Sequence, residues 1–529
     1  MSDVQYRPAR IQTLSPEQEI VLKQTWGYLL KYWGYELSIT SGDLGYKEAF
    51  CASSTSAAHT SHWAGETAVA ASAAAAKKKG FFRGGETLAA EPEKPATSSK
   101  RVQKVAAKRS EKYVPMGISE QHRYTYMTHY AQGVEFSKNY DSDGSTASSR
   151  SGSDSGHSLE TMATNLTLVD EKDGSGGGAA APTNKKGGGL STKARTSVLP
   201  LFKPYNPQEI HSTFWKNQRA DLLDNWILKF VRARNFETEK ALTMFTTDLE
   251  WRTNQSPAYE WLLEGDGPSA TKGINPGLIK NFTVNKAWIH GFDKKDNVIF
   301  MFRAALHLGG DAPQEEMRRW CVLAIEWTRY FMRDITRSTD QSSVVFDLTG
   351  FSLKNADYVT IKFIADVFEA HYPECLANIF VYNAPWVFSK FWNIIKHWLD
   401  PVVSSKIRFV KDLEEIGEYI EVSELPVFMG GTDEYTSNYT PPKSEAEYMT
   451  KPKDATFQKL IHERDELNLQ LLERTARWIE SYDPVTSSKY LQDKIDVATK
   501  LASNHVALDP YVRKRGPQDR NGTLKVSLY

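Results

Sequence analysis

Between Pro385 and Pro401 the chain carries more apolar residues than one face of a helix can use. Trp386, Val387, Phe388, Phe391, Trp392, Ile394, Ile395, Trp398 and Leu399 leave Ser389, Lys390, Asn393, Lys396 and His397 as one polar stripe. Pro385 suits a first helical turn, where its missing N–H costs nothing, and Pro401 biases Asp400 away from helical geometry. The pattern predicts a helix over 386–399. An ordinary surface helix needs one apolar stripe, so this one is either buried on most sides or faces something other than water.

The elements around it read from the same kind of pattern. Ser15-Pro16-Glu17-Gln18 is a capping box with proline at the first helical position, and Leu22, Trp26, Leu29, Leu30 and Trp33 continue it as an amphipathic helix. Such a helix is too short to stand alone and is expected to dock on a later part of the chain. Residues 39–200 are alanine runs, serine- and glycine-rich tracts and a lysine triplet, too poor in apolar surface to offset chain entropy, and are expected to be a disordered insertion. Two helical patterns follow, Asp221 to Arg234 and about Thr238 to Arg252, forming a small helical unit.

From about residue 271 the pattern becomes α/β. Two short apolar runs flank the polar turn Asp293-Lys294-Lys295-Asp296-Asn297, a hairpin signal. A helix over 314–334, a strand over 343–348, a helix over 356–372 and a strand over 378–382 then make a βαβ crossover, so the sheet has a parallel core. A short strand (406–410) and a helix (413–420) follow the aromatic stretch, and the tail has helical patterns over 456–481 and 490–503. The expected units are 1–38 (an N-terminal amphipathic helix), 39–200 (the insertion), 201–270 (a helical domain), 271–436 (the α/β domain) and 437–529 (a helical extension).

Composition narrows the function. Lysine plus arginine equals aspartate plus glutamate at 65 each, which argues against a nucleic-acid partner. Cys51, Cys321 and Cys375 give neither a disulfide framework nor a zinc spacing, which fits a reducing compartment. No apolar run reaches the ~18 residues of a membrane span, and the first residues are too polar for a secretory signal. The expected location is cytoplasmic, with peripheral contact to an organelle membrane such as endoplasmic reticulum, endosome or lipid droplet. Zinc-hydrolase, nucleophile-elbow and dinucleotide-cradle motifs are absent. An enzyme, a metal and a cofactor are therefore not expected.

Two polar features bracket the aromatic stretch. Glu374 lies just before the preceding strand and Lys406 just after the helix. A carboxylate can accept from sugar-type hydroxyls and an ammonium can sit against a phosphate, or the two can pair with each other. A third feature, Arg513-Lys514-Arg515, reads as a solvated terminus or a weak lipid-headgroup contact.

Six phrases in order carry a resemblance. They are Leu228-Lys229-Phe230-Val231-Arg232-Ala233-Arg234-Asn235-Phe236, Phe346-Asp347-Leu348-Thr349-Gly350-Phe351-Ser352, Tyr372-Pro373-Glu374, Asn383-Ala384-Pro385-Trp386, Leu399-Asp400-Pro401-Val402 with Lys406, and Leu425-Pro426 with Phe428 and Gly430-Gly431. The chain from about His211 to Tyr435 resembles the CRAL-TRIO (Sec-fourteen-like) lipid-binding family, and its two ends resemble the fungal phosphatidylinositol-transferring subgroup. The resemblance implies an α/β domain with a mixed, largely parallel sheet around a lipid-sized cavity, a helical domain ahead of it, and a mobile gate on Trp386, Phe388, Phe391, Trp392, Ile395, Trp398 and Leu399. It also implies headgroup contacts at Arg234, Glu374 and Lys406, with Lys229 nearby. A lysine that follows the arginine in some members is Asn235 here, and a threonine near the phosphate is Val403. Of two hydroxyl residues linked to phosphatidylcholine, Ser352 is present and the second is Lys354. Phosphatidylinositol is the expected ligand, and the case for phosphatidylcholine is weaker.

The expected function is non-catalytic: a monomer that carries a phospholipid and meets a membrane surface transiently. Two acyl chains hold on the order of 30 methylenes, and at about 0.8 kcal/mol each their exposure would cost on the order of 25 kcal/mol. A carrier must therefore enclose the chains and exchange them through a gate onto the bilayer. The alternative is a carrier or sensor of another hydrophobic ligand, a sterol or squalene, that presents it to a partner.

Overall fold

The structure, a computed structural model, describes residues 4–33, 200–202, 204–435, 438–481 and 484–528. The expected disordered insertion over 39–200 lies outside the described residues apart from Pro200, as does Cys51.

Helix α1 (Pro16–Tyr32) begins on the expected capping box: Ser15 Oγ accepts from Gln18 N at 3.3 Å and Gln18 Oε1 accepts from Ser15 N at 3.0 Å. It docks as its apolar stripe requires. Leu22, Trp26, Leu29 and Leu30 are buried in one core with Phe214 of α2 (Pro207–Lys216), Trp226 and Phe230 of α3 (Leu223–Ala233) and Phe245 of α4 (Thr238–Asn254). The same core takes in Leu471 and Trp478 of α13 (Ala455–Ile479) and Ile495 and Leu501 of α14 (Pro484–Val512). The N-terminal helix, the helical unit and the C-terminal hairpin thus share one interior. A buried charge pins it: Lys494 pairs with Asp224 between the rings of Trp26 and Trp478, whose centroids lie 4.6 and 4.5 Å from the ammonium.

Three short helices, α5 (Ala258–Glu264), α6 (Gly267–Lys272) and α7 (Pro276–Thr283), lead into a five-stranded sheet. Its strands are β1 (Ala287–Phe292), β2 (Val298–Arg303), β3 (Ser342–Asp347), β4 (Leu376–Tyr382) and β5 (Ile407–Val410), in that spatial order. The β1–β2 pair is antiparallel, a hairpin whose turn Asp293 closes by accepting from Lys295 N and Asn297 N, both at 2.9 Å. The other three pairings are parallel, as crossovers through α8 (Gln314–Arg329) and α9 (Tyr358–Ala370) demand. Side chains alternate across the pleat. Ile299, Met301, Val345, Phe380 and Tyr382 pack on one face with Ile416 of α12 (Leu413–Gly417), while Phe300, Phe302, Val344, Phe346 and Val381 face a cavity.

The aromatic helix is shorter than its pattern suggests. Helix α10 covers Phe388–Ile395, with turns on both sides. The chain turns over 396–398, and Asp400 then accepts from Val402 N at 2.7 Å, capping α11 (Pro401–Ser405). Gly431, in the closing Leu425–Gly431 turn, permits a close approach that no other residue could make: a Cβ there would lie 2.0 Å from the carbonyl oxygen of Leu425.

The basic cluster at the C-terminus is neither of the things expected of it. Arg513 is fully buried and pairs with Asp509 at 2.7 Å and with Asp519 of α15 (Pro517–Arg520) at 2.6 Å, while Arg515 pairs with Asp509 at 2.9 Å. A helix-spaced carboxylate and a second one from the returning tail draw these guanidinium groups inward.

Candidate functional site

The cavity lies between the sheet, α8, α9 and α10, and reaches α3 at its far end. It encloses about 250 Å³, more than the roughly 150 Å³ apolar void that takes up a benzene ring. Its walls are mostly aromatic and aliphatic.

Helix α10 closes one side, and it has two different faces. Phe388, Phe391 and Ile395 are buried against the cavity. They pack on Phe351, whose ring lies 5.5 Å from Phe388 and 5.8 Å from Phe391. Trp392 and Leu399 also line the cavity, half-buried, and Trp398 meets Tyr358 edge-on at 6.1 Å. The other face is open: Trp386 is 79% exposed and Ile394 46%. Val402 and Phe409 add exposed apolar surface beyond it, and Phe409 packs against Trp392 at 5.1 Å. The segment is thus buried on one face and exposes apolar side chains on the other.

The expected headgroup residues divide into two groups. Lys229 is buried and lines the cavity, donating to the Asp340 carbonyl and to Cys375 Sγ at 3.4 Å. Arg234, Glu374 and Lys406 stand behind the wall, where their neighbours Pro373, Cys375, Val403 and Ile407 line the cavity and they do not. Glu374 has left-handed backbone geometry (φ 56°), and its carbonyl accepts from Gln341 Nε2 at 3.2 Å. Glu374 and Lys406 do not pair with each other, and neither has an ion pair among the described residues. Arg234 turns back on the chain, donating to the Ala233 carbonyl at 3.0 Å, whereas Arg232 reaches Asp340 at 3.4 Å. Burial, then the neighbouring Arg10, pushes the Arg232 guanidinium down to about 10. Ser352 caps a short turn over Leu353–Asn355, its hydroxyl donating to Asn355 Oδ1 at 3.0 Å.

The sequence reading missed two polar clusters at the cavity. In one, Lys286 Nζ donates to His307 Nδ1 at 2.7 Å, and His307 Nε2 lies 3.2 Å from Asp357 Oδ2. Asp357 caps α9 by accepting from Thr360 N at 3.0 Å and Thr360 Oγ1 at 2.7 Å. The lysine donates to Nδ1, so the ring proton sits on Nε2 and the imidazole is neutral. Burial, reinforced by Lys286, lowers the His307 pKa, and burial pushes Lys286 down to about 8. The expected helix over 356–372 took in Asp357; the signal that marks it as a cap is Asp357-Tyr358-Val359-Thr360 ahead of an apolar run. In the other cluster Glu326 of α8 receives the Tyr372 hydroxyl, Arg252 at 2.7 Å and Arg219 at 2.6 Å. Burial alone would raise that carboxyl, but the arginines hold it well below the carboxylate range. Tyr372 of the Tyr-Pro-Glu phrase thus ties α4 and α8 together under the cavity.

This geometry has relatives. The model of the CRAL/TRIO domain matches residues 282–431, and that of the CRAL/TRIO N-terminal domain matches 194–247. A protein of Eremothecium gossypii named phosphatidylinositol transfer protein CSR1 is 31% identical over 521 residues, covering 98% of this chain and 99% of that one. The chain belongs to the CRAL/TRIO family. A second CRAL/TRIO relative, the CRAL-TRIO domain-containing protein C3H8.02 of Schizosaccharomyces pombe, is 32% identical over 62% of this chain and 71% of its own. The phosphatidylinositol/phosphatidylcholine transfer protein SFH12 of Arabidopsis thaliana is 29% identical over 39% of each chain. Among the described residues, no helix is long and apolar enough to cross a membrane.

Proposed function

We propose that this CRAL/TRIO protein binds a phospholipid, phosphatidylinositol, in the cavity and exchanges it at a membrane surface without covalent chemistry. The observation that carries the reading is the two-sided α10: Phe391 is buried against the cavity while Trp386 and Ile394 are exposed on the same segment. Exchange at a bilayer needs that combination. The outer residues enter the interface, where tryptophan is favoured. The inner residues then part, and one lipid replaces another with nearly equal apolar burial. The name of the full-length Eremothecium relative supports phosphatidylinositol as the ligand. Lys229 is the cation that meets the lipid directly, while Glu374, Lys406 and Arg234, one layer behind, supply longer-range charge or come forward as the lipid seats. Ser352 supports the neighbouring turn. The protein acts as a monomer that touches the cytoplasmic side of an organelle membrane transiently.

Transfer of labelled phosphatidylinositol between vesicles tests this. The wild type should transfer it and Phe391→Asp should not, with the variant still folded by circular dichroism. Absence of transfer by the wild type would overturn the reading.

One observation favours a second reading. The surface of the cavity is mostly apolar, and Arg234, Glu374, Lys406 and Ser352, four of the expected headgroup residues, stand outside its lining, which suits a sterol or squalene. Uptake of such a ligand in preference to phosphatidylinositol, from vesicles holding both, would select it.

A further inference from the structure

The segment ahead of α1 runs across the cavity's far end and is fastened on both sides. Tyr6 Oη donates to the Ile335 carbonyl at 2.9 Å and Arg7 N to Ser338 Oγ at 2.7 Å. Ile11 N donates to Asn225 Oδ1 of α3 at 2.9 Å. Between these anchors Arg10 is 6% exposed and its guanidinium meets Asp340 Oδ1 at 2.7 Å.

Asp340 is the centre of an unequal cluster. Arg10 holds one carboxylate oxygen, Arg232 reaches the other at 3.4 Å, and Lys229 Nζ lies 3.9 Å from that second oxygen. Three cations therefore share one carboxylate. Of the other carboxylates near this end of the cavity, Glu374 acts on Arg232 through space without an ion pair, and two are committed elsewhere. Asp221 pairs with Arg329 at 2.7 and 2.8 Å, and Asp334 accepts from Leu222 N and Asn225 Nδ2, both at 3.1 Å. Lys229 is left with a backbone carbonyl and a thiol as hydrogen-bond partners, on the cavity wall. The Nε atoms of Arg10 and Arg232 are buried with no hydrogen-bond partner among the described residues. A buried positive surplus is costly until an anion meets it.

We propose that Arg10 is a positioning residue for an anionic headgroup: by holding the Asp340 carboxylate, it leaves the Lys229 ammonium free to take a phosphodiester oxygen of the lipid. Without Arg10 the carboxylate has only a short rotation to make before it pairs with Lys229 and cancels its charge. Arg232 alone, at 3.4 Å, holds the carboxylate less tightly than Arg10 does. The segment ahead of α1 thereby sets headgroup selectivity from outside the α/β domain. The inference rests on the reading of the cavity as a phospholipid site.

The test uses the full chain and two labelled lipids offered in vesicles, phosphatidylinositol and diacylglycerol, which lacks a phosphate. Arg10→Gln should lower phosphatidylinositol uptake about tenfold, the value of one charge-assisted hydrogen bond, and leave diacylglycerol uptake unchanged. Arg10→Lys should keep most of the wild-type preference. Adding Asp340→Asn to Arg10→Gln should restore phosphatidylinositol uptake, a rescue that a merely structural role for Arg10 would not give. Lys229→Gln should lose the preference whether or not Arg10→Gln folds. Undiminished preference in Lys229→Gln, or equal loss of both lipids in a folded Arg10→Gln, would overturn the proposal. So would calorimetric binding of inorganic phosphate that disappears in Lys229→Gln while lipid preference stays, since the seat would then serve a free anion. If the wild type takes up diacylglycerol and no phosphatidylinositol, it is the phospholipid reading itself that fails.

Discussion

The ring of Phe391 on α10 lies 4.9 Å from that of Tyr358 at the start of α9, with the ring planes tilted by 55°. This contact joins the cover of the cavity to one of its fixed walls. An aromatic pair of this kind is worth about 0.5–1.5 kcal/mol beyond its area. Tyr358→Ala should therefore loosen the cover without unfolding the domain. Release of fluorescent phosphatidylinositol into acceptor vesicles should speed up about threefold to tenfold, while thermal stability falls only slightly. Release at the wild-type rate would mean that the contact does not hold the cover.

Trp386 offers the complementary test, because it is exposed and packs on little besides Lys390, whose ammonium lies 6.0 Å from its ring. Trp386→Ala should change stability by no more than about 0.5 kcal/mol, as for other surface positions. Co-sedimentation with vesicles should nonetheless drop severalfold. Equal sedimentation would remove Trp386 from the membrane-facing surface.

The C-terminal hairpin is predicted to be indispensable for folding rather than an accessory. Asp224 accepts from Trp26 Nε1 at 2.6 Å and pairs with Lys494, which is fully buried. Asp224→Ala leaves an unpaired ammonium between two indoles and should cost about 3–5 kcal/mol. Chemical denaturation of the variant measures this directly, and a loss below about 1 kcal/mol would contradict it.

Asp334 gives the stability a pH signature. Burial, and then the nearby Asp221, pushes its carboxyl up to about 7. Its pKa in the unfolded chain is about 3.9. The folded state thus keeps a proton that the unfolded state releases. The resulting stability is complete below about pH 3.9 and is lost progressively as the pH rises to about 7. Asp334→Asn cannot titrate. The wild type should lose up to about 3 kcal/mol relative to that variant between about pH 5 and about pH 8. A difference that is flat with pH, measured by urea denaturation, would contradict the assignment.

Much of this was legible in the chain because it rests on local rules. The capping box at Ser15, the hairpin at Asp293–Asn297, the apolar runs that form β2 to β4 and the parallel crossovers all follow from neighbours in sequence. The excess of apolar residues in the aromatic stretch also showed, though the pattern left open whether they were buried or exposed. What did not show depends on residues far apart. Nothing near Arg513 reveals that Asp519 folds back on it, so a buried ion pair read as a basic tail. Nothing near Lys286 marks His307 as its partner. Arg232 and Arg234 look interchangeable in sequence. They differ only in which way α3, ending between them at Ala233, turns each side chain.

The central claim is that the cavity behind α10 carries an inositol phospholipid. Native mass spectrometry of the purified full chain, followed by fragmentation of whatever it retains, tests this most directly. The wild type should retain one phospholipid per chain, releasing an inositol phosphate fragment, and Phe391→Asp should retain none. A sterol, a hydrocarbon or no lipid on the wild-type protein would contradict it.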